Sequence, residues 1–326
     1  MPSLKYDILA VDLDGTLLGT DGKVSPANAQ AVERARAAGM EVVICTGRGM
    51  VESGYAIGAI QATRPAFGRN IAPIVCAGGA MLCDAASGRT IHRWAMERTL
   101  VRRLCDHFAE ARRAPLILKD RDAAGFDYLV VNSGPIEYST QWWFNAMPVL
   151  VKFIDHIDHD EHPEHSVRVG FAAEAPVMRD LARTVHERFG HETTTQHFAA
   201  VGGTKAAEQR HDTPEGIAAL ARANKGDYGV KDDRVHLLEV FDPRVNKWSA
   251  IQHLAQEQAI PASRIAAIGD EVNDLAMIEG AAKGGGLGIA MGNAIDVVKR
   301  AANRHTESNT QDGLARAIDR MLNGEW

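Results

Sequence analysis

Short apolar runs recur at both ends of the chain, each followed by a turn and then by a stretch of helical period. Tyr6 to Val11 reads as a buried strand. Ser25-Pro26 supplies an N-cap and a first-turn proline for a helix through Ala38, which Gly39 stops. Glu41 to Cys45 reads as a second strand, a helix begins near Met50, and Ile74 to Ala77 forms a third strand. The rhythm returns late in the chain. Lys247 to Gln258 has apolar positions at Ile251, Leu254 and Ala255 and reads as a helix; Pro261 ends that connection, and Ile265 to Ile268 is a strand. A helix from Asn273, a strand over Leu287 to Met291, a helix from Ala294 and an amphipathic helix from about Asp312 to Leu322 complete the pattern. Such alternation predicts an α/β fold, a doubly wound parallel-sheet (Rossmann-like) core built from both chain ends.

The middle does not follow this rhythm. From about Ser87 to Val240, aromatics cluster (Trp142, Trp143, Phe144, Phe153, Phe171), and β-rich runs such as Asp127 to Val131 and Ser166 to Phe171 interrupt helical ones. At 326 residues the chain exceeds a comfortable single core. The expected organisation is therefore a first core segment at 1–86, an inserted α+β cap at 87–242 and a second core segment at 243–326. Two crossings at neighbouring hinges would let the insert move as a lid. Gly284-Gly285-Gly286 reads as a turn between core elements.

Bulk properties narrow the function classes. A formal net charge of -6 gives no electrostatic reason to seek nucleic acid or an acidic membrane, and no basic stripe with interleaved aromatics is present. The longest apolar runs fall far below the roughly 20 residues a membrane span needs. Cys45, Cys76, Cys83 and Cys105 form no CxxC pair and read as small buried hydrophobes in a reducing compartment. The N-terminal stretch carries one lysine and places acids directly after a short apolar run, unlike a cleavable signal. A cytoplasmic protein, monomer or homodimer, acting on a small molecule is expected.

Four motifs carry chemistry. Asp12-Leu13-Asp14-Gly15-Thr16 follows the first apolar run, where open α/β sheets bind ligands. In extended backbone Asp12 and Asp14 point to one side, so one carboxylate can attack while the other shuttles a proton. Thr46-Gly47-Arg48 follows the second strand, offering a hydroxyl and a backbone N–H to phosphoryl oxygens. Gly269-Asp270-Glu271-Val272-Asn273-Asp274 follows a later strand. Asp270 is placed to complete a magnesium site begun by Asp12, with Asn273 and Asp274 orienting it or its waters. Lys247 opens the helix before that strand and would neutralise charge developed in phosphoryl transfer. Gly203-Thr204-Lys205-Ala206 is a competing candidate for that lysine; Lys247 is preferred because its helix leads directly into the Asp270 strand.

Together these motifs resemble the haloacid dehalogenase-like hydrolases, and within them the Cof-like sugar-phosphatase branch with a large α+β cap. The run Gly269 to Met277, followed by Leu287-Gly288-Ile289-Ala290-Met291-Gly292-Asn293-Ala294, carries the most specific part of the likeness, which covers about 6–84 and 238–322. The resemblance implies that Asp12 forms an aspartyl-phosphate and ligates Mg2+. Asp14 would protonate the leaving alkoxide, then activate water, and give its backbone carbonyl to the metal. Thr46, Gly47 and Arg48 would bind the phosphoryl group, Lys247 would balance charge, and Asp270 would be the other carboxylate ligand, supported by Asn273 and Asp274. The implied activity is Mg2+-dependent hydrolysis of small phosphorylated metabolites. The alternatives are phosphoryl transfer or a mutase on the same scaffold, or a catalytically silent phospho-ligand-binding regulator.

The sequence also departs from that pattern. Gly78-Gly79-Ala80 stands where the branch often has Asn-Gly-Ala, and Trp248 follows the motif lysine where glycine is usual. His156, His159, His162 and His165 recur every third residue within an acidic stretch, read as a solvated loop, with a metal site as the alternative. Trp142 to Phe144 reads as cap core, with a substrate-pocket lining as the alternative.

Overall fold

The computed structural model describes residues 5–66, 68–199 and 235–326. The Gly203-Thr204-Lys205-Ala206 candidate lies outside them. The chain divides into two compact units. Among the described residues the first comprises 5–91 and Asn246–Trp326, and the second comprises 92–199 and 235–245.

The first unit is built on a sheet in the order β14-β13-β12-β1-β2-β3-β4-β5. Its strands are β1 (Ile8–Asp12), β2 (Glu41–Cys45), β3 (Pro73–Cys76), β4 (Met81–Asp84), β5 (Thr90–Arg93), β12 (Ile265–Gly269), β13 (Leu287–Ala290) and β14 (Arg304–His305). Strands β14 through β3 pair in parallel, and β4 returns antiparallel to β3. Every residue of β1, β2 and β12 is buried, as expected for parallel strands covered on both faces. This is the α/β doubly wound core, closed from both chain ends. In the register, Val11 pairs with Ile268 and Asp12 with Cys45, which brings the carboxyl ends of β1, β2 and β12 level.

Helix Pro26–Ala37 starts as the sequence predicts, the Ser25 hydroxyl accepting from the Asn28 amide at 3.1 Å. It packs on the terminal helix Gly313–Leu322, where the Ala315 amide donates to Asn28 Oδ1 at 3.1 Å. The expected helix near Met50 is a 3-10 turn at Val51–Ser53 running into Gly54–Ala59, and the one expected from Asn273 is likewise a 3-10 turn, Val272–Asp274, before Leu275–Lys283.

The second unit is the inserted α+β domain. Its sheet runs β10-β11-β9-β6-β7-β8, from β6 (Leu116–Lys119), β7 (Tyr128–Val131), β8 (Val151–Ile154), β9 (Ser166–Glu174), β10 (Thr194–Ala199) and β11 (Val235–Phe241). Its core joins Leu104 and Phe108 of helix Arg98–Glu110, and Met178, Val185 and Phe189 of helix Ala175–Phe189, to Ile117, Val169, Phe171 and Leu238 from the strands. Trp142, Trp143 and Phe144 are not in that core. Their helix, Tyr138–Ala146, buries only Thr140, and the three rings stay half-buried, Phe144 lying 5.3 Å from the Tyr128 ring. Two of the four cysteines sit on the inner strands β2 and β3, and all four are buried thiols. Among the described residues no helix is long and apolar enough to cross a membrane.

Candidate active site

Three acidic side chains and one ammonium meet at the carboxyl ends of β1 and β12. Lys247 Nζ donates to Asp12 Oδ1 and to Asp274 Oδ1, each at 2.6 Å, and all three side chains are buried. Asp12, Asp270 and Asp274 each offer a carboxylate oxygen, and these oxygens lie within 4.8 Å of one another. The lysine gets there because Asn246 caps its helix, its side chain accepting from Ser249 N while the Ser249 hydroxyl takes the Asn246 amide.

Asp274 holds the loop as well as the lysine. Its Oδ2 accepts from the amides of Asp270 (2.9 Å) and Glu271 (3.1 Å), so one carboxylate sets both the turn after β12 and the ammonium. Asp270 is fixed from the other side. Thr16 donates its hydroxyl at 3.2 Å, and Asn293 Nδ2 donates at 2.9 Å to Asp270 and at 2.9 Å to the Gly15 carbonyl.

Formal charge states the problem this site must solve. Three carboxylates against one ammonium leave two uncompensated negative charges in a buried place. Burial and then the charge of Asp274 push Asp12 up to about 7, against the pull of Lys247. Burial, Asp12 and Asp274 likewise raise Asp270 well above the usual carboxylate range. Burial works against the charge on Lys247, but Asp12 and Asp274 more than offset it and hold the ammonium above its ordinary value. Asp12 Oδ2 is buried with no hydrogen-bond partner among the described residues. A hard divalent cation fits this donor set: it takes carboxylate oxygens and removes the surplus of negative charge.

Asp14 stands apart from the acidic cluster. Its carboxylate receives a two-point contact from Arg48, with Nε at 2.9 Å and Nη2 at 2.5 Å. Thr46 is buried at the end of β2, and its hydroxyl accepts from the Arg48 amide at 3.1 Å, with Gly47 between them. So the structure gathers Asp12, Lys247, Asp270 and Asp274 directly, and gives Arg48 a contact to Asp14. Asn273 Oδ1 is buried without a hydrogen-bond partner among the described residues.

Sequence reasoning assigned no role to Thr16, Asn293 or Gly79. Asn293 lies in the loop three residues past the apolar strand β13, and a polar residue so near a strand's carboxyl end was its readable signal. Gly79 has φ +107°, and a Cβ on it would run into the Asn246 backbone, so this glycine lets the third strand's turn lie against the entry to the Lys247 helix. Trp248 does not crowd the site: it lies over Gly280, where any Cβ would overlap its indole.

The profile of the haloacid dehalogenase-like hydrolases matches residues 9–318. The chain is 27% identical over 329 residues to the 5-amino-6-(5-phospho-D-ribitylamino)uracil phosphatase YwtE of Bacillus subtilis, covering 98% of this chain and 99% of that protein. A local match to YitU, a phosphatase of the same name from B. subtilis, reaches 45% identity over 83 residues, or 26% of this chain and 29% of the relative. A haloacid dehalogenase-like hydrolase from Bacteroides thetaiotaomicron superposes with a TM-score of 0.70 at 20% identity, covering 97% of this chain and 100% of that one. The chain belongs to the haloacid dehalogenase-like hydrolases.

Proposed function

We propose that the chain hydrolyses the phosphate monoesters of small sugar-like metabolites, with Asp12 as nucleophile and Mg2+ as cofactor. The observation that carries this reading is the state of the Asp12 carboxylate. One oxygen is fixed by Lys247 at 2.6 Å and the other is buried with no partner beside two further carboxylates. Asp12 and Asp270 would hold the magnesium, with the Asp14 carbonyl. When bound, the ion supplies charge neutralisation for the phosphoryl oxygens.

The chain's own groups divide the work. An Asp12 oxygen attacks phosphorus, the bond to the leaving alkoxide breaks, and Asp14 gives that alkoxide a proton. The resulting aspartyl-phosphate is hydrolysed when Asp14 takes a proton back from an attacking water. Lys247 holds the Asp12 carboxylate in place and balances charge, while Thr46, Gly47 and Arg48 orient the phosphoryl group. Asp274 holds the Asp270 loop, and Asn273 would support the waters around the ion. Choice of the leaving group would rest with the second unit. The full-length relative's name, a phosphatase of a phosphoribityl compound, favours a phosphorylated polyol or sugar.

The test is phosphate release from a panel of sugar, polyol and nucleotide monophosphates, with Mg2+ and with chelator. Chelation should abolish turnover, and Asp12→Asn should lower kcat by about a thousandfold or more. An Asp12→Asn enzyme that keeps its rate overturns the nucleophile assignment. Phosphate delivered to a second hydroxyl in place of water would make the chain a transferase.

A further inference from the structure

The second unit holds a cluster that phosphatase chemistry does not use. His162, Glu164 and His165 each offer one donor atom, and these atoms lie within 4.8 Å of one another. We propose that His162, Glu164 and His165 form a binding site for a borderline divalent transition ion of the zinc class, separate in place and in chemistry from the oxygen-only site of Asp12 and Asp270.

The local backbone explains why these residues converge. Pro163 does not break the segment; it opens the 3-10 turn Pro163–His165, with proline's fixed φ at the first position. A 3-10 turn has about three residues per turn, so side chains three apart lie one above the other. His162 and His165 are so related: their rings stack at 28° with centroids 6.0 Å apart, and the His165 amide donates to the His162 carbonyl at 3.1 Å. Glu164, between them, brings a carboxylate oxygen within 3.0 Å of His165 Nε2.

The turn is pinned before any ion arrives. Asp160 Oδ1 accepts the His162 amide at 3.0 Å. Lys119, fully buried, donates to the His162 carbonyl at 3.0 Å, to Asp160 Oδ2 at 2.5 Å and to Ser166 Oγ at 2.8 Å. The Asp120 amide donates to the His165 carbonyl at 2.9 Å. The nearby lysine charge is neutralised by Asp160, so it does not repel a cation at the imidazoles.

The donor atom that His165 turns to the cluster is Nε2, 3.0 Å from the Glu164 carboxylate, and an ion held there would take its lone pair. Two imidazoles and a carboxylate suit Zn2+, Ni2+ or Cu2+, whereas Mg2+ prefers oxygen alone. Zinc bonds of about 2.0–2.2 Å place tetrahedral donors roughly 3.4 Å apart, so the side chains need only a short inward rotation.

The experiment is calorimetric titration of the full chain with Zn2+ under excess Mg2+, together with melting curves. Wild type should take up one equivalent more than each of His162→Gln, Glu164→Gln and His165→Gln, with Kd of about 10 µM or tighter. The ion should raise the melting temperature of wild type by a few degrees and leave the variants unmoved. His165→Gln risks the fold because the ring is mostly buried; the Glu164 side chain is exposed, so Glu164→Gln keeps the test decisive. Equal Zn2+ stoichiometry in wild type, His162→Gln and Glu164→Gln overturns the site, including the case where zinc goes to the His197–His236 pair instead.

Discussion

Lys247 and Asp12 are separated by 235 positions of sequence, yet the ammonium and a carboxylate oxygen stand 2.6 Å apart with both side chains buried. Asp274 meets the same ammonium at the same distance, so the lysine ties two buried carboxylates together. Removing it takes from both the ammonium that they share. Lys247→Met should therefore destabilise the protein by about 3–5 kcal/mol in chemical denaturation, beyond any effect on turnover. Lys247→Arg should not restore the loss, since the lysine side chain has 0% exposure and a planar guanidinium needs more room. A loss below about 1 kcal/mol for Lys247→Met would show that the carboxylates simply take up protons, and that the ammonium is not structural.

Gly15 is the point where backbone and metal site compete for one space. Its φ is +85°, and a Cβ would overlap the carboxylate of Asp270. Gly15→Ala should thus carry backbone strain of about 1–2 kcal/mol and also displace a ligand. The expected result is a modest fall in melting temperature with a larger fall in affinity for Mg2+, read from the metal dependence of phosphate release. Unchanged metal dependence would separate Gly15 from the site.

Asn293 is a positioning residue, because it reaches Asp270 and the Gly15 carbonyl with the two N–H groups of one amide. Its carbonyl in turn accepts from the Asn309 amide at 2.9 Å, which locks the side chain's orientation. Asn293→Ala should weaken Mg2+ binding by about 10–100-fold, the usual scale for groups supporting a metal ligand. At saturating Mg2+ the rate should recover most of its wild-type value. A rate defect that excess metal cannot repair would mean that Asn293 acts on the reacting groups themselves.

How much of this was legible beforehand depended on whether a signal was local. Asp12 and Asp270 could be read because each ends an apolar strand run, and in a parallel sheet such ends share one edge. Asp274 could be read as a supporting residue from its place one turn on. The partnership of Arg48 with Asp14 could not, because it depends on how two turns face each other across neighbouring strands. Gly79 was given no role, because its work is the close approach of the Asn246 backbone, a fact about a residue far along the chain. The same holds for Trp142 to Phe144. Aromatic content suggested core, but the helix presents those rings to a half-covered face, and residue type alone does not report which face is covered. In the histidine stretch, Pro163 starts a 3-10 turn, which the every-third-residue spacing of the histidines did not by itself distinguish from a solvated loop.

Asp84 offers a test of the fold away from the chemistry. At the end of β4 its Oδ1 accepts from the Ala72 amide (3.0 Å) and the Ala86 amide (3.2 Å), and its Oδ2 accepts from the Ser87 amide (3.2 Å) and hydroxyl (2.6 Å). Partial burial works to raise its pKa, but the Ser87 hydroxyl and the three amides outweigh it and hold the carboxyl below its ordinary value. The folded protein therefore binds this proton less tightly than the unfolded chain does. The stabilisation is complete above the unfolded value of about 3.9 and is lost as pH falls through the lower folded value. Asp84→Ala should cost about 1 kcal/mol at neutral pH, the scale of a satisfied turn of hydrogen bonds discounted for solvent exposure. In urea melts across pH, that gap should stay flat above about pH 5 and narrow below about pH 4 as wild type loses its charged acceptor. A gap that widens on acidification would place the carboxyl's folded value above the unfolded one and reverse the sign argued from its four donors.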